Sequence, residues 1–163
     1  MKKSFVSILI ALSLLILAAG AVFAASPARG SELHVDGSVQ SLENDEVNYP
    51  IIYVHANGSG SATGLGSFKL HFEAIVSNDA NGVGIGVEGV HITAANGDIL
   101  FATATGLGVP TSTPGVNKIV EKLTITGGTG KYLGASGNLT VTRIITLPTG
   151  VSTGTIKGNV ELR

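Results

Sequence analysis

The sequence predicts an all-β protein, namely an eight-stranded antiparallel up-and-down barrel preceded by a signal peptide. After residue 24 no segment places apolar residues at helical spacing, and short alternating runs are instead separated by turn pairs every 8 to 12 residues. Glycine is about twice as frequent as usual and charged residues about half as frequent, which is typical of closely packed β-structure. Short antiparallel strands favour closure into a barrel because closure removes exposed sheet edges.

The N-terminus has the features of a secretory signal peptide. A basic start is followed by an apolar run over residues 5–19 and then by small residues, so we predict cleavage after Ala24, with Ala21 and Ala28 as alternative positions. The protein is therefore expected to be secreted, with a periplasmic or extracellular location. The alternative is an uncleaved anchor, since residues 5–25 are long enough to cross a bilayer, and a membrane is a predicted partner only in that case.

Composition limits the classes of partner and site. Residues 25–163 are enough for a single domain with its own core and too few for two. Once Lys2 and Lys3 leave with the signal peptide, 8 basic residues remain against 11 acidic ones, and this mild negative charge argues against nucleic acid as a partner. The chain has no cysteine, which excludes thiolate metal sites and a cysteine nucleophile. We predict no cofactor.

Four runs account for the first half of the predicted barrel: 33–40, 49–56, 68–76 and 83–92. The first and third alternate apolar and polar residues, as expected for strands with one buried face. The second is apolar on both faces, and Asn57-Gly58 is expected to end it. In the fourth, the apolar positions move from one face to the other at Gly89, which predicts a β-bulge.

The second half begins with a hairpin turn at Asn96-Gly97-Asp98, which leads into a strand over 99–105. Residues 106–115 contain Pro110 and Pro114 and are predicted to form a loop, the best candidate for a mobile lid. Further strands are predicted over 117–126, 138–147 and 152–162, which completes the count of eight.

Two glycine patterns that resemble phosphate-binding motifs are rejected on their context. Residues 84–89 match the dinucleotide-binding pattern, but a strand rather than a helix follows them. Gly130-Lys131 resembles the end of a P-loop, but Tyr132 stands where a magnesium-binding Ser or Thr is required. The histidines lack zinc-binding spacing and no Ser/His/Asp arrangement is recognisable, so we predict neither a metal site nor a catalytic residue.

Two neighbouring predicted strands each carry a single charge on an otherwise apolar face. Glu121 interrupts the apolar face of the 117–126 strand, and Arg143 interrupts that of the 138–147 strand. If the two strands form a hairpin centred near Tyr132, the two charges lie directly opposite each other, which predicts an ion pair on the inner face of the barrel. A lone buried charge would be too costly, whereas a paired one is tolerable. The pair belongs to a functional pocket, or it only fixes the register, or it lies at the surface.

A second candidate site is a row of side chains on one face of the 49–56 strand. Tyr49, Ile51, Tyr53 and His55 could line a cavity, or they could merely cap the core. The candidate ligand-binding residues are therefore Glu121, Arg143, Tyr53 and His55.

The connection between the two charged strands carries the most specific motif of the chain. Residues 127–137 read Gly-Gly-Thr-Gly-Lys-Tyr-Leu-Gly-Ala-Ser-Gly. Together with its flanks, over 121–141, this segment resembles the strand, Gly-Gly-Thr/Ser-Gly, aromatic, glycine, strand signature of plant allene oxide cyclases and dirigent proteins. It is also similar to a group of exported bacterial proteins of unknown activity that carry the same barrel.

The resemblance implies a single calycin-like, allene oxide cyclase/dirigent-like domain over 25–163, with a central cavity, small hydrophobic ligands and often a homotrimer. No catalytic residue of either group is matched. The positions that match the motif are structural ones: Gly128, Gly130, Tyr132 and Gly137. The glycines are expected at turns with positive φ, and Tyr132 is expected to plug the barrel corner.

These observations favour a secreted, non-catalytic barrel that binds a small apolar ligand or an extracellular partner. The alternative is an isomerase or cyclase that steers a reactive hydrophobic intermediate by the shape of the cavity, with Glu121, Arg143 and Tyr53 as polar participants. A purely structural surface protein is the third hypothesis, and a filled barrel would favour it.

Overall fold

The computed structural model describes residues 30–163, which form a closed barrel of eight antiparallel β-strands. Each strand pairs with its neighbours in the sequence, and the last strand pairs with the first. The strands are β1 (Glu32–Asn48), β2 (Ile51–Ala62), β3 (Gly66–Asn78), β4 (Gly84–Ala94), β5 (Ile99–Pro110), β6 (Val116–Gly128), β7 (Ser136–Thr146) and β8 (Val151–Glu161). A 3-10 turn over Gly130–Tyr132 lies between β6 and β7. The predicted fold class is confirmed.

Two predictions concern the N-terminus. The signal peptide, residues 1–24, and the alternative membrane anchor, residues 5–25, both lie outside the described residues. Within residues 30–163 no helix is long and apolar enough to cross a membrane.

The inner faces follow the alternation of the sequence in most strands. Because successive side chains of a strand point to opposite faces, one set fills the interior and the other set meets solvent. The predicted inner positions of β1, β3, β6 and β7 are confirmed, and they include Val35, Phe72, Leu123 and Leu139. These residues belong to one hydrophobic cluster in the barrel interior.

One end of the barrel, which carries the β2–β3, β4–β5 and β6–β7 connections, is filled by side chains. Tyr132 is fully buried there together with Leu65 and Ala135, so the predicted plug is confirmed. Gly130 adopts a φ of 52°, a conformation that side chains with a Cβ rarely adopt. A Cβ at this position would also meet the Asp98 carboxylate, which accepts a hydrogen bond from the backbone N–H of residue 131 at 3.1 Å.

Three strands are longer than the sequence predicts. β1 continues beyond residue 40 to Asn48, and β2 continues through Asn57-Gly58 to Ala62. The predicted loop over 106–115 is wrong, because residues 106–110 extend β5 and only 111–115 connect it to β6. Ladder pairing explains these extensions, since residues 57–62 of β2 pair with both neighbouring strands, residues 43–48 of β1 pair with β2, and residues 106–110 of β5 pair with β6.

The β-bulge predicted at Gly89 is also wrong. The registers of β4 with β3 and with β5 run through this residue without a shift. Ile85 and Val87 instead face solvent, 64% and 59% exposed, while Gly84, Gly86 and Glu88 face the interior. The bulge lies between β5 and β6, where Phe101 pairs with Gly127 and the next residue pairs with Ile125. Gly127 has a φ of 143°, which suits the irregular backbone there.

Candidate functional site

A cavity of about 120 Å³ lies inside the other end of the barrel, toward the β1–β2, β3–β4, β5–β6 and β7–β8 connections. Space remains at this end because four inward positions on β4 and β5 have no side chain: Gly84, Gly86, Gly106 and Gly108. The walls are mainly apolar, and they are formed by Ile52, Val54, Phe72, Ala74, Val76, Ile119, Ile145 and Leu147. The inner end of the cavity, which we name the polar floor, consists of Glu43, Glu88, Glu121 and Arg143.

The predicted ion pair between Glu121 and Arg143 is confirmed and lies in the polar floor. Nη2 and Nε of Arg143 donate hydrogen bonds to Oε1 of Glu121 at 2.5 Å and 2.9 Å. Both side chains are almost fully buried, with about a twentieth of their surface exposed. The surface alternative is therefore excluded.

The register predicted for this hairpin is wrong by two residues. Glu121 pairs across the ladder with Val141, and Arg143 pairs with Ile119. A shift by two keeps every side chain on its face, so the alternating pattern is the same in both registers. The two charged groups lie diagonally, and the length of their side chains allows them to meet.

A second carboxylate binds Arg143 from the opposite side. Nη1 of Arg143 donates to Oε1 of Glu43 on β1, and the side chain of Glu43 is also almost fully buried. The same Nη1 lies 3.4 Å from the Ser152 hydroxyl, which bonds the Ser41 hydroxyl at 2.7 Å. The ring of Phe72 lies 5.0 Å from the guanidinium carbon. Arg143 is thus held on several sides by its own chain.

Glu88 on β4 completes the polar floor beside Glu121. The two side chains lie next to each other, since a Cβ at Gly106 would be 2.9 Å from Glu88 Oε1 and 3.3 Å from Glu121 Cγ. Two neighbouring buried carboxyl groups repel each other unless one of them holds a proton. Burial raises the pKa of Glu88 to about 7, and the interaction with Glu121 partly offsets this shift. Burial, with the charge of Glu88 as a further cause, raises the pKa of Glu121 well above its usual range. Burial lowers the pKa of Arg143 to about 10, which leaves the guanidinium charged at neutral pH.

Carboxyl groups outnumber cations in this part of the barrel. Glu43, Glu88 and Glu121 surround the single guanidinium, and Asp45 also lines the cavity. Burial raises the pKa of Asp45 as well. Because unpaired buried carboxylates are costly, protonation of Glu88 or Glu121 relieves part of the excess negative charge.

The sequence prediction missed Glu43 and Glu88. Continuing the alternation of β1 past residue 40 would have placed Ser41 and Glu43 inside. On β4, the apolar residues Ile85 and Val87 indicated the wrong inner face, because glycines occupy the inward positions beside the cavity.

Tyr53 and His55 are not part of the cavity. They lie on the outer face of β2, where Tyr53 is 43% exposed, because the inward positions of β2 belong to Ile52 and Val54. Their row therefore does not line the interior, and it borders instead an open depression on the outer surface together with His71 and His91. The outer row continues onto β3, where Glu73 lies 3.6 Å from Nδ1 of His55. In the described part of the chain, no group of three or more His, Asp or Glu side chains could hold a metal ion.

Comparisons with protein families, with curated proteins and with solved structures gave no match for this chain. The resemblance to allene oxide cyclases and dirigent proteins therefore stays a prediction.

Proposed function

We propose that the protein is a secreted barrel that binds a small, mainly apolar ligand in the cavity without transforming it. The observation that carries this proposal is the composition of the cavity, in which apolar walls lead to a few convergent charged groups. Ligand sites in proteins typically combine an apolar lining with a small number of polar groups that fix orientation.

The size of the cavity limits the ligand. Its volume of about 120 Å³ is well below the roughly 300–1,000 Å³ of sites for drug-sized ligands. The bound part is therefore a compact group, or one end of a longer molecule that leaves the barrel past Asn78, Asn117 and Leu147.

A thermal-shift screen of the purified protein against lipid, terpenoid and phenolic probes tests this proposal. A ligand at 100 times its dissociation constant stabilises the folded state by about 2.7 kcal/mol, which is readily detected. Gly108→Leu is expected to fill the cavity and abolish the shift, because a Cβ at Gly108 meets nothing closer than Ile119 Cγ1 at 3.7 Å. Gly89→Leu is the matched control, since Gly89 faces outward into open space. A screen without any shift would contradict the proposal.

The second candidate function is an isomerase or cyclase that acts on a hydrophobic intermediate. The observation in its favour is the Glu88 carboxyl, which lines the cavity and has a pKa of about 7, the range that suits proton transfer near neutral pH. Glu121 and Arg143 would position the reacting group, whereas Tyr53 lies outside the barrel and takes no part. Turnover of an epoxide substrate that survived both Glu88→Gln and Glu121→Gln would contradict this mechanism.

The outer surface supports a separate proposal, association with protein. Ile85 and Leu107 are exposed and lie directly opposite each other on β4 and β5, with Val87 beside them. Such a patch suits a homotrimer or an extracellular protein partner. Sedimentation equilibrium of the purified protein tests self-association, and a monomer at all concentrations would contradict the homotrimer.

A further inference from the structure

We propose that the ligand of the cavity enters with a compact cationic group, an alkylammonium head, which binds the Glu88–Glu121 carboxyl pair and displaces the proton that one of them holds. This inference rests on the proposed binding function and adds the chemical class of the ligand. It is carried by three features of the polar floor: four of the five donors of Arg143 are already engaged, the other polar groups are carboxyl groups, and Gly106 leaves space beside Glu88 and Glu121.

The engagement of Arg143 argues against an anionic ligand. A guanidinium has five N–H donors. Four of them form hydrogen bonds in the polar floor, two to Glu121, one to Glu43 and one to Ser152. A carboxylate ligand would find at most one N–H of Arg143 without a partner, and it would have to approach the carboxyl groups that surround the guanidinium, so the floor disfavours it.

The acceptors that remain favour a donor. Both bonds from Arg143 to Glu121 end on Oε1, so the second oxygen of that carboxyl accepts no hydrogen bond from Arg143. An ammonium group has three donors and no acceptor. Its positive charge would neutralise the carboxylate in place of the proton that neutralises it in the absence of a ligand. A hydroxyl group can donate one hydrogen bond but brings no charge, so an alcohol is expected to bind more weakly.

The position of Gly106 gives the head group access to both carboxyls. A Cβ at Gly106 would lie 2.9 Å from Glu88 Oε1 and 3.3 Å from Glu121 Cγ, so the missing side chain leaves this approach open. The apolar walls above it suit the first carbon atoms of an alkyl chain.

The exchange of a proton for a cation makes binding depend on pH. The titratable and charged groups that face Glu88 in the cavity are Glu43 and Asp45 on β1, Glu121 on β6 and Arg143 on β7, and the lining residues of β2, β3 and β5 carry none. Because the pKa of Glu88 is about 7, the ionised fraction that accepts an ammonium rises about tenfold between pH 6 and pH 8. An alkylamine stays protonated over this range, so the dependence comes from the protein.

Isothermal titration calorimetry with hexylamine, hexan-1-ol and hexanoate tests the inference. We expect hexylamine to bind at least tenfold more tightly than hexan-1-ol at pH 8, about tenfold more tightly at pH 8 than at pH 6, and with a buffer-dependent heat that reports proton release. Hexanoate is expected to be the weakest ligand. Glu88→Gln, which keeps the shape of the side chain but cannot ionise, should remove the pH dependence and the preference for hexylamine over hexan-1-ol.

Two outcomes separate this inference from the proposed function. If the three probes bind with equal affinity, or if hexanoate binds best, the cationic head group is wrong while a ligand-binding cavity remains. If none of the probes binds either to the wild type or to Glu88→Gln, both proposals fail together. Amine binding that keeps its pH dependence in Glu88→Gln would overturn the role of this carboxyl.

Discussion

Stability should fall as the pH rises from 5 to 8, because Glu88 holds its proton more tightly in the folded protein than in the unfolded chain. Burial raises the pKa of Glu88 from 4.5 to about 7. A carboxyl with a raised folded-state pKa contributes stability that is fully present below the unfolded pKa and is lost as the pH rises through the folded one. The expected window is therefore between about pH 4.5 and pH 7. Glu121 changes stability in the same direction, because burial raises its pKa as well.

The size of the effect follows from the shift. At 1.36 kcal/mol per pKa unit, the change at Glu88 corresponds to roughly 3 kcal/mol of unfolding free energy. For a barrel of this length the loss corresponds to a decrease in melting temperature of roughly 10 °C. Urea denaturation at 25 °C, followed by circular dichroism at pH 5, 6, 7 and 8, measures it directly.

Glu88→Gln isolates the contribution of this carboxyl. The amide cannot ionise, so the variant should match the wild type at pH 5 and exceed it by roughly 3 kcal/mol at pH 8. Glu46→Gln is the matched control, because Glu46 is exposed on the outer face of β1 and its side chain forms no hydrogen bond or ion pair with the described residues. Wild-type stability that rises over this range, or a slope that Glu88→Gln leaves unchanged, would refute the reasoning.

Three substitutions test the packing of the barrel. Arg143→Met leaves buried carboxylates without their cation and should lower the unfolding free energy by about 3–5 kcal/mol at pH 8; an equal loss at pH 5, where protonation relieves the carboxylates, would argue against this cause. Gly130→Val forces a side chain into a positive φ and against Asp98, so it should cost at least about 2 kcal/mol in urea denaturation, while Gly89→Val on the open outer face should not. Tyr132→Phe removes a buried hydroxyl that has no partner among the described residues and should raise the melting temperature by an amount corresponding to about 1 kcal/mol. A clear decrease in the melting temperature would instead indicate that a water molecule bridges this hydroxyl to the protein.

The sequence predicts the strands whose inner faces carry side chains better than the strand whose inner face carries glycines beside the cavity. Along β3 and β6, where large side chains point inward, the apolar residues mark the inner face correctly. On β4 the apolar residues instead mark the outer face. Glycines occupy the inward positions beside the cavity, and Ile85 and Val87 point outward. A pattern that ranks faces by hydrophobicity therefore selects the wrong face of β4, and it misses Glu88 on the correct one.

The charged residues of β6 and β7 were predictable because each is a single exception on a long apolar face. Their third partner was not predictable, because Glu43 is distant in the sequence and lies in an acidic stretch that resembles an exposed turn. Only closure of β1 against β8 brings this carboxylate beside Arg143. Long-range pairing of this kind leaves no local signal in the sequence.

The hairpin register decides between two roles for the ion pair. If the ion pair served only to fix the register, it should be unable to form in the alternative register. In the register that the sequence suggested, Glu121 and Arg143 would be directly opposite each other. In the observed register they are diagonal neighbours and still form the ion pair. The ion pair is compatible with both registers. The element that selects between the two registers is therefore the corner over 127–137 with its buried tyrosine. A buried ion pair is seldom more stabilising than apolar side chains of the same volume. The polar floor does not distinguish the two registers and lies at the inner end of a cavity, and both observations support the proposed role in binding.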